Sequence, residues 1–495
     1  MLALAPQALV LGVLSGVGPA PVPVHATVPA PFGESATAPA TVPATWVKDP
    51  SARAELAWRT RALELAWMSA EDPARRAAAL PHVEEAVARF FRFDSSGVGA
   101  ALGEARAALE GRAQVHPLDA ARVRPGRRLL DAADPELELV TGWLYGEAPE
   151  GELAIQVLLD GTPLIGPERI RIRGEEADGH PFRWPALEPA PTGDLILEVR
   201  LQDGDGEAIT RPLAVARVPR LAERLEALAA ELPEGAPALE ARTLDARLDL
   251  LRSLAAGSTE ETDFPAARLL EEAEAMGAAA AEGEPWFGPE TRGQHWLRVP
   301  VGRRASASIR LLVPASYDPS APGPLVLALH GMGGSENMFF DAYGAGLAAR
   351  LCEERGWIMV APRVSPLGTS AAAILEGLHG RLPFDRDRVL LMGHSMGAAV
   401  GQRLVAKAPS TYRAFVAMGG GAPQGDPAPF AEVPVYATAG ERDFGRGGVE
   451  ALFASLEGEG EADRRLVIEP GTEHLLIVAD ALPAAFRWFD ALLAR

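Results

Sequence analysis

Residues 291–495 of the chain predict an α/β domain, a mostly parallel sheet with helices on both faces, preceded by helices and by a small antiparallel β-sandwich-like domain. Two observations predict it. The first is a series of short, nearly continuous apolar runs, "PLVLALH", "WIMVAP", "RVLLMG", "AFVAMGG", "VPVYATAG" and "RLVIEPG", alternating with helix-like stretches; strands apolar on both faces belong to a covered parallel sheet. The second is a switch to period-two patterning earlier in the chain, in "ELELVTGWLYG", "ELAIQVLLDG" and "DLILEVRLQDG", broken by Asp-Gly and Pro-Thr-Gly turns, which reads as short antiparallel strands.

The elements follow in order. Residues 1–26, "MLALAPQALVLGVLSGVGPAPVPVHA", carry no charged side chain and end in the small-x-small pattern Val24-His25-Ala26. This resembles a secretory signal, although a basic start is missing and Pro6 interrupts the apolar run. Export to the periplasm or the extracellular space is the expectation, with a cytoplasmic protein if the segment is not a signal. Residues 27–50 are rich in Pro, Ala and Thr, a composition that keeps a chain extended, and read as a tether.

Residues 51–125 read as helices rich in Ala, Glu, Arg and Leu, with Trp58, Leu63, Trp67, Phe90, Phe91 and Phe93 expected on buried faces. Residues 126–219 hold the sandwich-like strands, which show neither metal-ligand spacing nor an aromatic platform; a spacing role is expected, with polymer or glycan contact as the alternative. Residues 220–290 return to helical patterning broken at Pro233 and Gly235, a link to the final domain. At 495 residues and 48% hydrophobic composition the chain has ample core for several domains. Its 67 acidic against 47 basic side chains, net charge −20, oppose binding to nucleic acid, and past the leader no apolar run is long enough to span a bilayer. The single cysteine, Cys352, excludes an intramolecular disulfide and reads as helix packing.

The chemistry concentrates in "RVLLMGHSMGAAVG", where an apolar strand meets an amphipathic helix. Gly393, Ser395 and Gly397 fit a sharp turn that lifts a serine hydroxyl clear of a sheet, the glycines being needed where the turn crowds neighbouring backbone. A serine hydroxyl is a weak nucleophile and needs a base, which needs an orienting acid. One histidine, His474 in "IEPGTEHLL", follows Ser395. Among the acids, Asp443 in "VYATAGERDFG" comes directly from a strand end, with Glu441 next; Asp426 lies in a Pro-rich loop, Asp463 precedes a strand and Asp480 falls on the last helix. An oxyanion hole requires two backbone N–H groups. Met396 supplies one, and the Gly-rich turn of "LALHGMGGSENMF" supplies the other, from Met332 with Gly333 as its neighbour. His330 and His394 read as loop-orienting side chains, and Asp385 with Arg388 as an ion pair at the start of the strand.

With these residues in place, the C-terminal region resembles the α/β-hydrolase superfamily. Within it the region is similar to the secreted bacterial esterases grouped with polyhydroxybutyrate depolymerases and feruloyl esterases, and to related predicted peptidases. The resemblance rests on "LHGMGGSENMF", "DRDRVLLMGHSMGAA", "AGERD" and "GTEHLL", in that order, and does not extend to the first 290 residues. It implies Ser395 as nucleophile, Asp443 as acid, His474 as base and Met332 with Met396 as oxyanion donors. Ala398 stands where relatives often have a second glycine, a change expected to touch helix packing rather than chemistry.

The expected reaction is cleavage of carboxylic esters through an acyl-enzyme, with a small-molecule or polymer-attached ester as substrate and no cofactor or metal. A serine peptidase of the same fold, the sandwich acting as a gate, is the alternative; an acyltransferase or a silent binding protein comes after it. Between "AFVAMGGG" and "VPVYATAG" there is only a short loop, so no inserted helical lid and an open cleft are expected.

Overall fold

The computed structural model describes residues 50–146, 151–172, 178–184, 191–204, 206, 208–230 and 237–495. The signal-like segment and the tether up to residue 49 lie outside the described residues.

Three helices come first: α1 (Pro50–Ser69), α2 (Pro73–Phe91) and α3 (Ser95–Glu110). Asp72 caps α2 by accepting from Ala74 N–H at 2.9 Å, with Pro73 at the first helical position, and Asp94 caps α3 through Gly97 N–H at 2.9 Å. Gly111 ends α3 in the left-handed region at φ 73°, where its missing Cβ removes the steric penalty. The trio closes on Leu63, Trp67, Leu80, Val83 and Leu102, joined by Leu476 from the far end of the chain.

Of the six side chains expected on buried helix faces, Leu63 and Trp67 are buried. Trp58 and Phe90 are half-buried, whereas Phe91 and Phe93 are 41% and 42% exposed. Phe91, in the last turn of α2, borders a cavity rather than the helical core, and Phe93 lies in the turn that follows, at φ 59°.

The helical region also ends earlier than expected. After Gly111 the chain enters the strand Ala121–Pro125, whose side chains alternate buried and half-buried, so the sandwich begins before residue 126. Its smaller sheet pairs this strand with Glu136–Trp143, itself paired with Asp178–Arg183. The larger sheet runs Leu129–Asp131, Ala208–Val218, Gly193–Gln202, Leu153–Leu159, Thr162–Ile170. Alternate side chains of both sheets, among them Leu137, Leu139, Ile155, Val157, Phe182, Leu197 and Val199, form the core between them.

A buried ion pair fastens α1 to the sandwich. Both carboxylate oxygens of Glu55 accept from Arg211 Nη1, at 2.7 and 2.8 Å, and Arg59 adds a bond at 2.8 Å. Burial alone would raise the Glu55 carboxyl, but Arg211 and Arg59 outweigh it and hold it below the usual carboxylate range. Removing one member of such a pair strands the other charge. Glu55→Ala is therefore expected to cost about 3–5 kcal/mol of stability, read as a lower denaturation midpoint in urea; a change below about 0.5 kcal/mol would contradict a tight pair.

The helices Leu221–Ala230, Ala238–Ala255 and Ala266–Ala281 do more than link. They pack on Leu129, Ala216 and Val218 of the sandwich and on Trp296 of the last domain, and Thr243 Oγ1 accepts from Arg298 N–H at 3.0 Å.

The last domain is built on eight strands: β1 (Gly293–Pro300), β2 (Ser306–Val313), β3 (Leu325–Leu329), β4 (Ile358–Pro362), β5 (Val389–His394), β6 (Ala414–Met418), β7 (Val435–Gly440) and β8 (Arg464–Glu469). They lie in the order β1-β2-β4-β3-β5-β6-β7-β8, with β2 antiparallel to both neighbours and the rest parallel. In β3, Leu325, Leu327 and Leu329 face one core and Val326 and Ala328 the other, which is why the strand is apolar throughout. Helices Met396–Lys407 and Arg446–Ser455 cover the first face, Tyr343–Arg355 and Ile477–Leu493 the second. This is an α/β-hydrolase fold, and it brings the carboxyl ends of β3, β5, β7 and β8 to one edge.

Candidate active site

At the end of β5 the chain turns into the helix Met396–Lys407 through Ser395, whose φ of 53° and ψ of −115° are strained for a residue with a side chain. Two glycines give the turn its space. A Cβ on Gly397 would lie 2.0 Å from Leu329 O, and one on Gly393 2.4 Å from the Gly397 carbonyl. Ser395 N–H donates to Met418 O at 2.8 Å, tying the turn to β6.

The loop after β8 carries His474 and the loop after β7 carries Asp443, both buried. His474 Nδ1–H donates to Asp443 Oδ1 at 2.8 Å, which leaves Nε2 to accept from Ser395 Oγ at 3.0 Å. Gly445 N–H donates to the same carboxylate oxygen at 2.6 Å. Burial would raise the Asp443 carboxyl; the His474 hydrogen bond and charge, with Gly445 N–H, outweigh it and hold it below the usual range. A proton can pass from Ser395 to an imidazole whose orientation and positive charge the carboxylate supports.

The other acids lie elsewhere. Glu441 accepts from Gly471 N–H at 3.1 Å, Asp426 from Ala428 N–H at 3.0 Å, Asp463 from Trp488 Nε1–H at 3.3 Å and Asp480 from Trp67 Nε1–H at 3.1 Å. Asp385 and Arg388 pair at 3.2 Å where β5 begins.

Met396 opens its helix, so its N–H has no carbonyl one turn back to bond. Met332 lies in the turn closed by Gly334 N–H to Gly331 O at 3.2 Å. Gly331 N–H is occupied by Tyr343 Oη at 3.1 Å, and Met332, Gly333 and Ser395 line one cavity together.

Two histidines beside the glycines hold these loops. His330 Nε2 accepts from Val364 N–H at 2.8 Å while Nδ1–H donates to Gly331 O at 2.7 Å, and burial lowers its proton affinity. His394 Nε2–H donates to His474 O at 3.0 Å, so Nδ1 accepts from the Tyr343 hydroxyl at 2.8 Å. Burial, with His474 adjacent, pushes His394 down to about 3, and it stays neutral at physiological pH. The Tyr343 hydroxyl thus couples the turn at Gly331 to the carbonyl of His474.

Tyr343 is held in turn by a side chain that sequence patterning does not single out. Glu64 of α1, 1% exposed, accepts from the N–H groups of Tyr343, Gly344 and Ala345 at 3.0, 3.2 and 3.4 Å. Those residues and Gly346 form a left-handed run with φ between 51° and 77°; its signal in the sequence is the "YGAG" of residues 343–346.

The cleft is not open in the manner expected. The loop after β6 is short, but α1–α3 roof the site and form with it a partly open cavity of about 190 Å³. Arg53 donates to Gly333 O at 2.9 Å, and Phe90 packs so closely that a Cβ on Gly333 would lie 2.5 Å from its ring. Phe91 meets Phe444 edge to face at 5.7 Å, and Phe444 covers the His474 ring at 4.0 Å. Among the described residues no group of His, Cys, Asp and Glu is arranged to hold a metal, and no helix is long and apolar enough to cross a membrane.

No family model matches the chain, and no curated protein matches it. Among solved structures the chain is similar to a mutant of the feruloyl esterase module from Clostridium thermocellum complexed with sinapinate, at 14% identity over 41% of this chain and 89% of that one, TM-score 0.31. It is similar to EstE1, a thermophilic carboxylesterase cloned from a metagenomic library, at 17% identity over 41% and 88%, TM-score 0.32. An S-formylglutathione hydrolase from Agrobacterium tumefaciens matches at 15% identity over 41% and 97%, TM-score 0.33.

Proposed function

We propose that the chain hydrolyses carboxylic esters through an acyl-enzyme, with Ser395 as nucleophile, His474 as general base and then acid, Asp443 as its orienting partner, and the amides of Met332 and Met396 as oxyanion donors. The observation that carries the reading is the unbroken hydrogen-bonded line from Ser395 Oγ through both nitrogens of His474 to Asp443, at 3.0 and 2.8 Å.

Ser395 Oγ attacks the ester carbonyl as His474 Nε2 takes its proton, and the tetrahedral oxyanion is held by the two amides. The C–O bond to the alcohol then breaks with the proton returned from Nε2 to the leaving oxygen. Water, deprotonated by the same nitrogen, attacks the acyl-enzyme, and collapse releases the acid and restores Ser395. General acid–base transfer of this kind contributes about 10²–10⁴ in rate.

A fluorophosphonate probe is expected to label Ser395, with p-nitrophenyl butyrate cleaved and aminoacyl p-nitroanilides left intact. Cleavage of the anilides with the ester ignored would replace this reading by the peptidase one, and failure of the probe to label Ser395 would remove the nucleophile.

A further inference from the structure

We propose that the cavity roofed by the three N-terminal helices is an acyl-binding site, and that it takes an uncharged acyl group of about six carbons, whether a short chain or a single ring. The inference rests on the ester-hydrolase reading and adds to it the substrate class.

The size comes first. An apolar cavity of about 150 Å³ stays dry and binds benzene, so about 190 Å³ accommodates a group of that size or slightly larger. The walls agree with an apolar occupant: Leu56 and Ala57 of α1, Val87 and Phe90 of α2, and Val98 and Leu102 of α3 all face it. Arg53 pairs with Glu261 at 2.6 Å, Arg61 with Asp263 at 3.3 Å and Asp341 Oδ1 with Arg310 at 2.8 Å, whereas Asp341 Oδ2 is buried without a hydrogen-bond partner. An ionic tail would have to break one of these pairs and be desolvated as well.

The direction of the reaction decides which half of the ester lies there. The leaving oxygen must face His474 Nε2 to receive its proton. Phe444, 54% exposed and outside the cavity wall, covers that imidazole at 4.0 Å, so the alcohol leaves on the open side past it. The roofed side, lined by Ser395, residues 331–335 and the helices, receives the acyl chain. Because the roof comes from α1–α3 rather than from an insertion in the catalytic domain, the residues that set acyl length, Ala57 and Val87 among them, lie far before the nucleophile in the sequence. Val87 and Ala57 are the positions to alter, since both are half-buried and neither substitution below removes a polar partner.

The experiment is a kcat/KM series on p-nitrophenyl esters from acetate to laurate, alongside a series of alkyl acetates in which only the alcohol lengthens. The acyl series is expected to rise by up to about fourfold per methylene, peak near hexanoate and fall at least about tenfold by laurate as the cavity is exceeded. The alcohol series is expected to stay within about threefold, since this half is solvated. Ala57→Phe, which fills the cavity, is expected to lower the hexanoate-to-acetate ratio by about tenfold, and Val87→Ala to move the peak toward octanoate. An acyl series that is flat, or that still rises at laurate, would overturn the proposal while leaving ester hydrolysis standing. So would a length dependence carried by the alcohol, or an unchanged ratio in a folded Ala57→Phe. Absence of hydrolysis across both series together with no fluorophosphonate labelling would overturn the ester-hydrolase reading itself.

Discussion

Ser395→Ala is expected to lower kcat for p-nitrophenyl butyrate by about 10⁶, and His474→Ala to do nearly the same, with little further loss in the double variant. The near-identity follows from the geometry: Oγ and Nε2 are 3.0 Å apart and act on one proton, so removing either abolishes the same step. Asp443→Asn is expected to lower kcat by about 10⁴. An amide NH₂ in place of the carboxylate oxygen that Nδ1–H now contacts at 2.8 Å forces the other tautomer, and Nε2 then carries the proton it should accept. Stopped assays with purified, folded variants decide the matter. Activity of Ser395→Ala within about tenfold of the parent would remove Ser395 from the mechanism.

Glu64 governs the second large effect. Glu64→Leu leaves the three N–H groups of residues 343–345 buried without acceptors, at about 1–3 kcal/mol each. It also releases Tyr343 from its bonds to His394 and Gly331. Loss of at least about 3 kcal/mol of stability is expected, with kcat reduced more than KM is changed because the groups displaced border the oxyanion turn and the base.

The pH dependence has a definite sign. Burial, opposed by the amides of Ala345, Tyr343 and Gly344, raises the Glu64 carboxyl from 4.5 to about 7. The folded chain therefore holds a proton that the unfolded chain has released, and the stability linked to it is complete below about pH 4.5 and lost as pH rises through 7, about 3 kcal/mol in all. Glu473, raised by burial to about 7 as well, acts in the same direction, whereas Glu55 and Asp443, held low, lose their contribution only as pH falls into the acid range. The measurement is thus a difference: urea midpoints of Glu64→Gln and the parent across pH 4–8. The parent should lose stability relative to Glu64→Gln as pH rises from 4.5 to 7, and parallel curves would show that Glu64 does not titrate in that window.

The parallel sheet was legible because β3, β5, β6 and β7 are buried on both faces and so are spelled in apolar residues without interruption. The turn at Ser395 was legible because its backbone admits nothing larger than hydrogen at Gly393 and Gly397. The roof was not. Helical periodicity separates the apolar face of α2 from the polar one, but it does not say whether Phe90 meets another helix or the turn at Gly333, a partner far along the chain. Glu64 was hidden for a related reason, since a glutamate in an amphipathic helix reads as solvated until its acceptor oxygens are seen against residues 343–345. The start of the sandwich was missed by a few residues because Ala121–Pro125, with Arg122 and Arg124 between its buried positions, is too short for a secure period.

The joining of α1 to the last helix sets the order in which a ribosome can finish the molecule. Trp67 is 413 residues from Asp480, to which its indole donates, and Glu64 is 279 residues from Tyr343. At about 5–20 residues per second the first of these partners is roughly 20–80 s away when α1 emerges. Leu63 and Trp67 can close on α2 and α3 soon after these are made, but the Glu64 carboxyl waits for residues 343–345 and the Trp67 indole N–H for Asp480. On the proposed mechanism hydrolysis waits for His474 and for the packing of Ile477–Leu493, and a chain truncated before that helix leaves the Trp67 indole without its Asp480 partner.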